Sequence, residues 1–203
     1  LLDVSSHKVA KELFDQIKHF SEYFTLSGSI VPNDNLLYSS FENIYDYAVD
    51  LISNSKNYKD ETFTFFSKDD MLKKYMAVEL LEELDQGVKN NFKGFHLTYH
   101  PQINAKDFSI VSVEVLLRFK SESYGDTSPN EFIPILEKSG LIHNVGIWVI
   151  DEALSMCKKW REYNPDFKIS VNISSIQLKK KSFAIKVINL LSKYDLPGDA
   201  LIL

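Results

Sequence analysis

The sequence predicts an α/β protein, with a partial (β/α) barrel preceded by a small α/β unit. Three observations lead there. First, Val111 to Phe119 reads as a strand: Val111, Val113, Val115, Leu117 and Phe119 make one wholly apolar face. Ser112, Glu114, Leu116 and Arg118 make the other, because side chains alternate faces along a strand. Second, two more segments repeat this polarity. Phe95 to His100 puts His96, Thr98 and His100 on one side, and Lys168 to Ser174 sets Ser170 and Asn172 against Ile169, Val171 and Ile173. Third, long helical patterns separate the last two of these strands. That order lays helices over the apolar faces of a mostly parallel sheet.

The polar faces then line an interior. A carboxylate and a guanidinium on a strand otherwise suited to a core are costly unless they meet a partner, a metal or a ligand. The plainer alternative is an antiparallel strand with its polar face in water. In a parallel barrel, catalytic groups sit at the C-terminal ends of strands and point inward. Glu114, Arg118 and Asn172 suit that placement.

Taken in order, the chain starts with candidate N-caps Ser5 and Ser6. Val9, Leu13, Ile17 and Phe20 then recur at helical spacing, with Ala10 and Phe14 widening the stripe. Residues 25–31 read as a short strand containing Gly28, followed by a turn at Pro32 to Asn35. A second helix is expected over about 41–52, with Ile44, Ala48 and Leu51 inward, and a strand over 62–66. Helix, strand, helix, strand suits a small α/β sandwich. His7 and His19 lack a second ligand nearby in sequence and read as surface residues.

Ser67 opens a third helix, with Asp69 and Asp70 at its positive end. Met71, Leu72, Tyr75, Met76, Leu80, Leu84 and Val88 form its stripe. It reads as an interdomain helix over 67–91, between units at 1–66 and 92–203. Its Glu79, Glu82, Glu83 and Asp85 read as a solvated face, with a signalling lever or dimer contact as the functional alternative.

After the Glu114 strand, residues 120–128 read as a polar loop, and Pro129 as the first turn of a helix. Phe132, Ile135 and Leu136 are its apolar side. Val145, Trp148, Val149, Ala153, Met156, Cys157 and Trp160 mark a longer amphipathic helix ending near Asn164-Pro165, its aromatics belonging to the core. Lys179 to Lys181 reads as a solvated turn. Phe183, Val187, Leu190 and Leu191 form the last helix, stopping before Pro197-Gly198, and Leu201 to Leu203 starts a strand.

The chain's 203 residues hold one large domain or parts of two. With 44% hydrophobic residues it can bury a core. A net charge of −5 argues against a general DNA or RNA binder, though not against a local basic pocket for a small phosphate ligand. One cysteine, Cys157, forms no internal disulfide, which suits a reducing compartment. No apolar run is long enough to span a bilayer. The expected location is the cytoplasm, or the cytoplasmic part of a membrane-anchored receptor. Leu1 at one end and a strand-like Leu201-Ile202-Leu203 at the other lead us to expect a piece of a longer chain.

Several motifs also resemble a known family. Glu114-Val115-Leu116-Leu117-Arg118-Phe119 resembles the Glu-Ala-Leu-Leu-Arg-Trp signature of EAL domains, the bacterial cyclic di-GMP phosphodiesterases. Tyr99-His100-Pro101 is similar to the Tyr-Gln-Pro that precedes it. Ser128 to Glu137, then Gly140-Leu141-Ile142, resembles the following Pro-x-x-Phe-Ile-Pro-x-Ala-Glu segment. Asn172, Ser174, Gln177 and Leu178 resemble Asn-x-Ser-x-x-Gln-Leu. The motifs stand in the family's order and spacing from about Phe92 onward. The resemblance implies a TIM-like barrel of EAL type.

The first part resembles the second half of a GGDEF (diguanylate cyclase) domain. Val9-Ala10, Leu13-Phe14 with Ile17, then Leu26 to Ile30, the helix bearing Ala48, and Phe65-Phe66-Ser67 carry that likeness. The Gly-Gly-Asp-Glu-Phe signature is absent, so no cyclase activity transfers to any residue here.

By resemblance, Glu114 and Asn172 match metal ligands for Mg2+ or Mn2+, and Arg118 matches a substrate-phosphate contact. Leu116 matches a leucine close to bound guanine, and His100 stands where glutamine lies near the phosphate. Beyond the metal ligands, no catalytic residue is assigned within these residues. The chemistry is coherent: phosphodiester hydrolysis needs an activated water and charge neutralisation, which divalent metals held by carboxylate and amide oxygens supply. Two readings stand. One is metal-dependent hydrolysis of cyclic di-GMP to linear pGpG. The other is an inactive cyclic di-GMP sensor or protein-interaction scaffold. The expected partners are cyclic di-GMP, a second copy of the chain and an upstream sensory domain.

Overall fold

The computed structural model describes residues 7–19, 28–30, 49, 63–65 and 68–203. The chain divides into two compact units, 1–76 and 77–203. The first holds helix α1 (His7–His19) and strands β1 (Gly28–Ile30) and β2 (Phe63–Phe65). β1 and β2 pair in parallel, Ser29 opposite Thr64. On α1, Leu13 and Phe14 are half-buried, while Val9 and Ile17 are exposed. Ser5, Ser6, Ser67 and, Val49 apart, the helix expected at 41–52 lie outside the described residues. Helix α2 (Lys68–Lys89) follows, and the division between the units falls within it.

The second unit continues with β3 (Phe95–Ile103), β4 (Ile110–Ser121), β5 (Gly125–Thr127), α3 (Pro129–Ser139) and α4 (Ile142–Arg161). Then come β6 (Lys168–Val171), α5 (Ser175–Leu178), α6 (Phe183–Lys193), a 3-10 turn (Gly198–Ala200) and β7 (Leu201–Ile202). The sheet order is β3-β4-β6-β7, with β5 paired to the end of β4. β4 pairs with β6, and β6 with β7, in parallel. Each parallel pair is linked through helices, α3 and α4 first and α5 and α6 second, the repeating unit of a (β/α) barrel.

β3 runs antiparallel to β4. Only residues 104–109 join them, too few for the crossover that parallel neighbours require. The expectation of a mostly parallel sheet therefore holds on one side of β4 only. β5 corrects another expectation. Residues 120–128 are not simply a loop, because Gly125, at φ 71°, turns the chain back to pair with β4.

Of the expected apolar face of β4, Val113, Val115 and Phe119 are buried and Leu117 is half-buried, while Val111 is 42% exposed. Val113, Val115 and Phe119 share one core with Phe132 and Leu136 of α3 and Val145, Val149, Ile150, Ala153 and Leu154 of α4. Phe119 bridges the Phe95 and Phe132 rings, with centroids 4.7 and 6.0 Å away. Burying a side chain of this kind contributes on the order of 1.5–3 kcal/mol. Cys157 is fully buried, and that burial raises its thiol pKa. The alternating polar residues are thereby forced onto the other face of β4.

Helix ends are set locally. Ser128 Oγ accepts the Asn130 N–H, and Glu131 accepts the Ser128 N–H, a reciprocal cap that starts α3 at Pro129. Gly140, at φ 78°, ends it.

The acidic residues of α2 are not all a solvated face. Glu83 accepts the backbone N–H groups of Glu122 (2.9 Å) and Ser123 (3.1 Å), and Glu79 accepts the Tyr124 hydroxyl. One turn of helix separates the two carboxylates, so both reach the β4–β5 turn. Among the described residues, no helix is long and apolar enough to cross a membrane.

Candidate functional site

The polar face of the sheet collects the predicted residues by register. His100 lies opposite Glu114, Thr98 opposite Leu116 and His96 opposite Arg118 across β3 and β4. On the other side of β4, Ser170 of β6 is the partner of Glu114. Directly opposed residues share a face. Glu114 therefore sits between an imidazole and a hydroxyl residue, with Leu116 and Arg118 following along the same strand.

Asn172 stands one residue beyond the β6 ladder, which ends at the Val115–Val171 pair. Its amide reaches back to β4, where Nδ2 donates to Glu114 Oε1 at 2.8 Å. The structure thus brings together the two residues that resemblance paired, from neighbouring parallel strands whose chain connection runs through β5, α3 and α4. Glu114 is half-buried and Asn172 exposed. The face they share is open among the described residues.

Arg118 is half-buried, and its Nη1 donates to the Leu117 carbonyl at 3.0 Å. That leaves most of its donor fork free to meet an anion. Four residues of strand, roughly 13 Å, separate it from Glu114, too far for a direct ion pair. The face thus presents a carboxylate and amide at one end, an apolar Leu116 in the middle and a cation at the other. His100 is exposed beside Glu114.

Among the described residues, no group of three or more His, Cys, Asp or Glu side chains is gathered to hold a metal. The Glu114–Asn172 pair still matches hard cations in kind, since a carboxylate and an amide oxygen are the donors they prefer. A cleft of about 480 Å³ lies elsewhere, between α2 and the end of β4, with Glu79, Glu83, Lys93 and Phe119 in its walls. It contains none of the predicted site residues.

Sequence reasoning missed the contacts made just after Asn172. Ser174 Oγ donates to Glu137 of α3, and Gln177 Oε1 accepts the Ser174 N–H at 3.0 Å. Ser174 and Gln177 had appeared only as motif matches. The one available signal was their three-residue spacing, which suits a helix-capping pair.

With this geometry in place, comparison with known proteins is informative. The EAL domain family matches residues 81–203. A cyclic di-GMP phosphodiesterase of Pseudomonas aeruginosa is 32% identical over 125 residues, covering 62% of this chain and 21% of that protein. The bifunctional diguanylate cyclase/cyclic di-GMP phosphodiesterase MucR of the same species is 33% identical over 127 residues, covering 62% of this chain and 18% of its own length. The chain thus spans about a fifth of these curated relatives. Among solved structures, the MucR phosphodiesterase in complex with c-di-GMP superposes with a TM-score of 0.56 at 32% identity, covering 61% of this chain and 49% of that one. The EAL enzyme Bd1971 in its cAMP-bound form gives a TM-score of 0.57 at 25% identity, covering 82% of this chain and 43% of that one. The architecture is that of the TIM-barrel-like EAL fold.

Proposed function

Because the chain belongs to the EAL domain family, we propose that it serves cyclic di-GMP signalling as part of a metal-dependent phosphodiesterase that opens cyclic di-GMP to linear pGpG. The observation that carries this reading is the 2.8 Å contact between Asn172 and Glu114. Two oxygen-bearing side chains of the kind Mg2+ or Mn2+ prefers converge at the sheet end where barrel enzymes work. The amide donates its N–H to the carboxylate here. Rotation about its terminal bond presents Oδ1 instead, so the pair can turn both oxygens to one cation.

Glu114 and Asn172 would hold the cation, which when bound supplies charge neutralisation and an acidified water. Arg118 binds a phosphate oxygen through its planar donor fork. Leu116, half-buried between the charged ends, offers apolar contact to a purine. His100, opposite Glu114, offers a hydrogen bond to the phosphate region. This reading takes cyclic di-GMP as the ligand, with a second copy of the chain and an upstream sensory domain as further partners, and sets the protein in the cytoplasm or on the cytoplasmic side of a receptor.

A second reading keeps binding without turnover, as in a sensor or scaffold. His100, standing where the family carries glutamine near the phosphate, favours it. Chromatography of the products, with Mg2+ or Mn2+ and with chelator, separates the two. The expected result is pGpG formed only with metal, and a loss of about a hundredfold or more in a folded Glu114→Gln variant. Equal product in chelator contradicts the metal mechanism. No product with any metal leaves the sensor.

A further inference from the structure

We propose that Gln177 and Ser174 are positioning residues that set the direction of the Asn172 amide, an inference resting on the reading of Asn172 as a cation ligand. The β6 ladder ends at Val171, so no strand partner fixes residue 172. What fixes it lies two residues downstream. The Ser174 N–H donates to Gln177 Oε1 at 3.0 Å. The Ser174 hydroxyl donates to Glu137 Oε1 and accepts the Ile176 N–H at 3.3 Å. Three helices therefore meet at Ser174, since Glu137 belongs to α3, Gln177 to α5, and Gln177 is itself seated against α4.

That seat is tight. Gln177 is only 2% exposed. A Cβ added at Gly146 of α4 would come within 1.9 Å of Gln177 Nε2. Glycine at 146 is what admits the carboxamide. Yet Nε2 is buried without a hydrogen-bond partner. An orphaned buried donor is costly, and an apolar side chain of similar length would fill the same space without that cost. What such a side chain would lose is Oε1, the acceptor that holds Ser174. The polar residue thus serves the geometry of the turn, and the turn aims Asn172 at Glu114. Outer groups that orient metal ligands typically matter ten- to a hundredfold in affinity.

The test uses Gln177→Met, which removes the acceptor, Ser174→Ala, which removes the hydroxyl, and Ser174→Thr, which keeps it. Two readouts are taken: the Asn172 side-chain amide signals in 15N NMR without metal, and Mn2+ affinity by electron paramagnetic resonance, with Asn172→Ala as reference. We expect Gln177→Met and Ser174→Ala to move the Asn172 amide signals and to weaken Mn2+ binding about tenfold or more. Ser174→Thr should restore both. A helix cap with no positioning role would lower the melting temperature and leave the Asn172 signals in place; that outcome, in whichever variant folds, overturns the inference. If the parent and Asn172→Ala bind Mn2+ equally, the cation reading falls, and the amide signals alone then decide whether the brace positions Asn172.

Discussion

Glu114 and Asn172 are 58 positions apart in the chain and 2.8 Å apart in space. Neither residue alone says much. A glutamate on an alternating strand is as well explained by water as by a metal. The contact between them, at the end of a parallel strand pair, is what shifts the balance. Arg118 is the complementary case, because its guanidinium is half-buried and hydrogen-bonded only to the adjacent Leu117 carbonyl. If it meets a phosphate, Arg118→Ala removes charge-assisted hydrogen bonds of about 1.5–3 kcal/mol, a ten- to hundredfold loss in cyclic di-GMP affinity by calorimetry. The fold should persist, since no core packing rests on the guanidinium. Unchanged affinity would remove Arg118 from the site.

At the scale of elements, α2 is tied to the strand that carries the site. Glu79 and Glu83 hold the turn at the end of β4. Burial pushes the Glu83 pKa up, but hydrogen bonds from the Ser123 and Ser121 side chains and the backbone N–H groups of Glu122 and Ser123 together bring it below its ordinary value of 4.5. A folded pKa below the unfolded one means the carboxylate stabilises the fold above the unfolded value, and that stabilisation is lost as pH falls through the folded value. We therefore expect acid melting curves of the parent and Glu83→Gln to be separated near neutral pH and to converge as pH falls below the ordinary glutamate range. Parallel curves across that range would show that Glu83 contributes nothing through its charge. Alternation made β3, β4 and β6 readable from the chain, because burial of one face forces the other outward. Alternation says nothing of strand direction, since polarity is the same either way along a strand; the short connection at 104–109 carries that information instead. β5 has too few residues to show a period. The docking of Glu79 and Glu83 was hidden because acids one turn apart look alike whether they face water or a neighbouring turn. The Ser174–Gln177 cap is local and its spacing was visible, but the contact of Ser174 with Glu137 was hidden because it joins residues 37 positions apart.

At the scale of the molecule, residues 77–203 form one compact unit whose sheet and helices follow the EAL architecture. The chain covers about half of the MucR phosphodiesterase structure. Its part of the site is the Glu114–Asn172 pair with Arg118 beyond it, and the central claim is that this pair holds a divalent cation. Anomalous diffraction at the manganese edge, from crystals of the protein soaked in Mn2+, tests this most directly. The account predicts a peak bonded to the Glu114 carboxylate and to Asn172 Oδ1, with the amide rotated from its present orientation. Crystals showing ordered Mn2+ only elsewhere, with Asn172 Nδ2 still donating to Glu114, would contradict it.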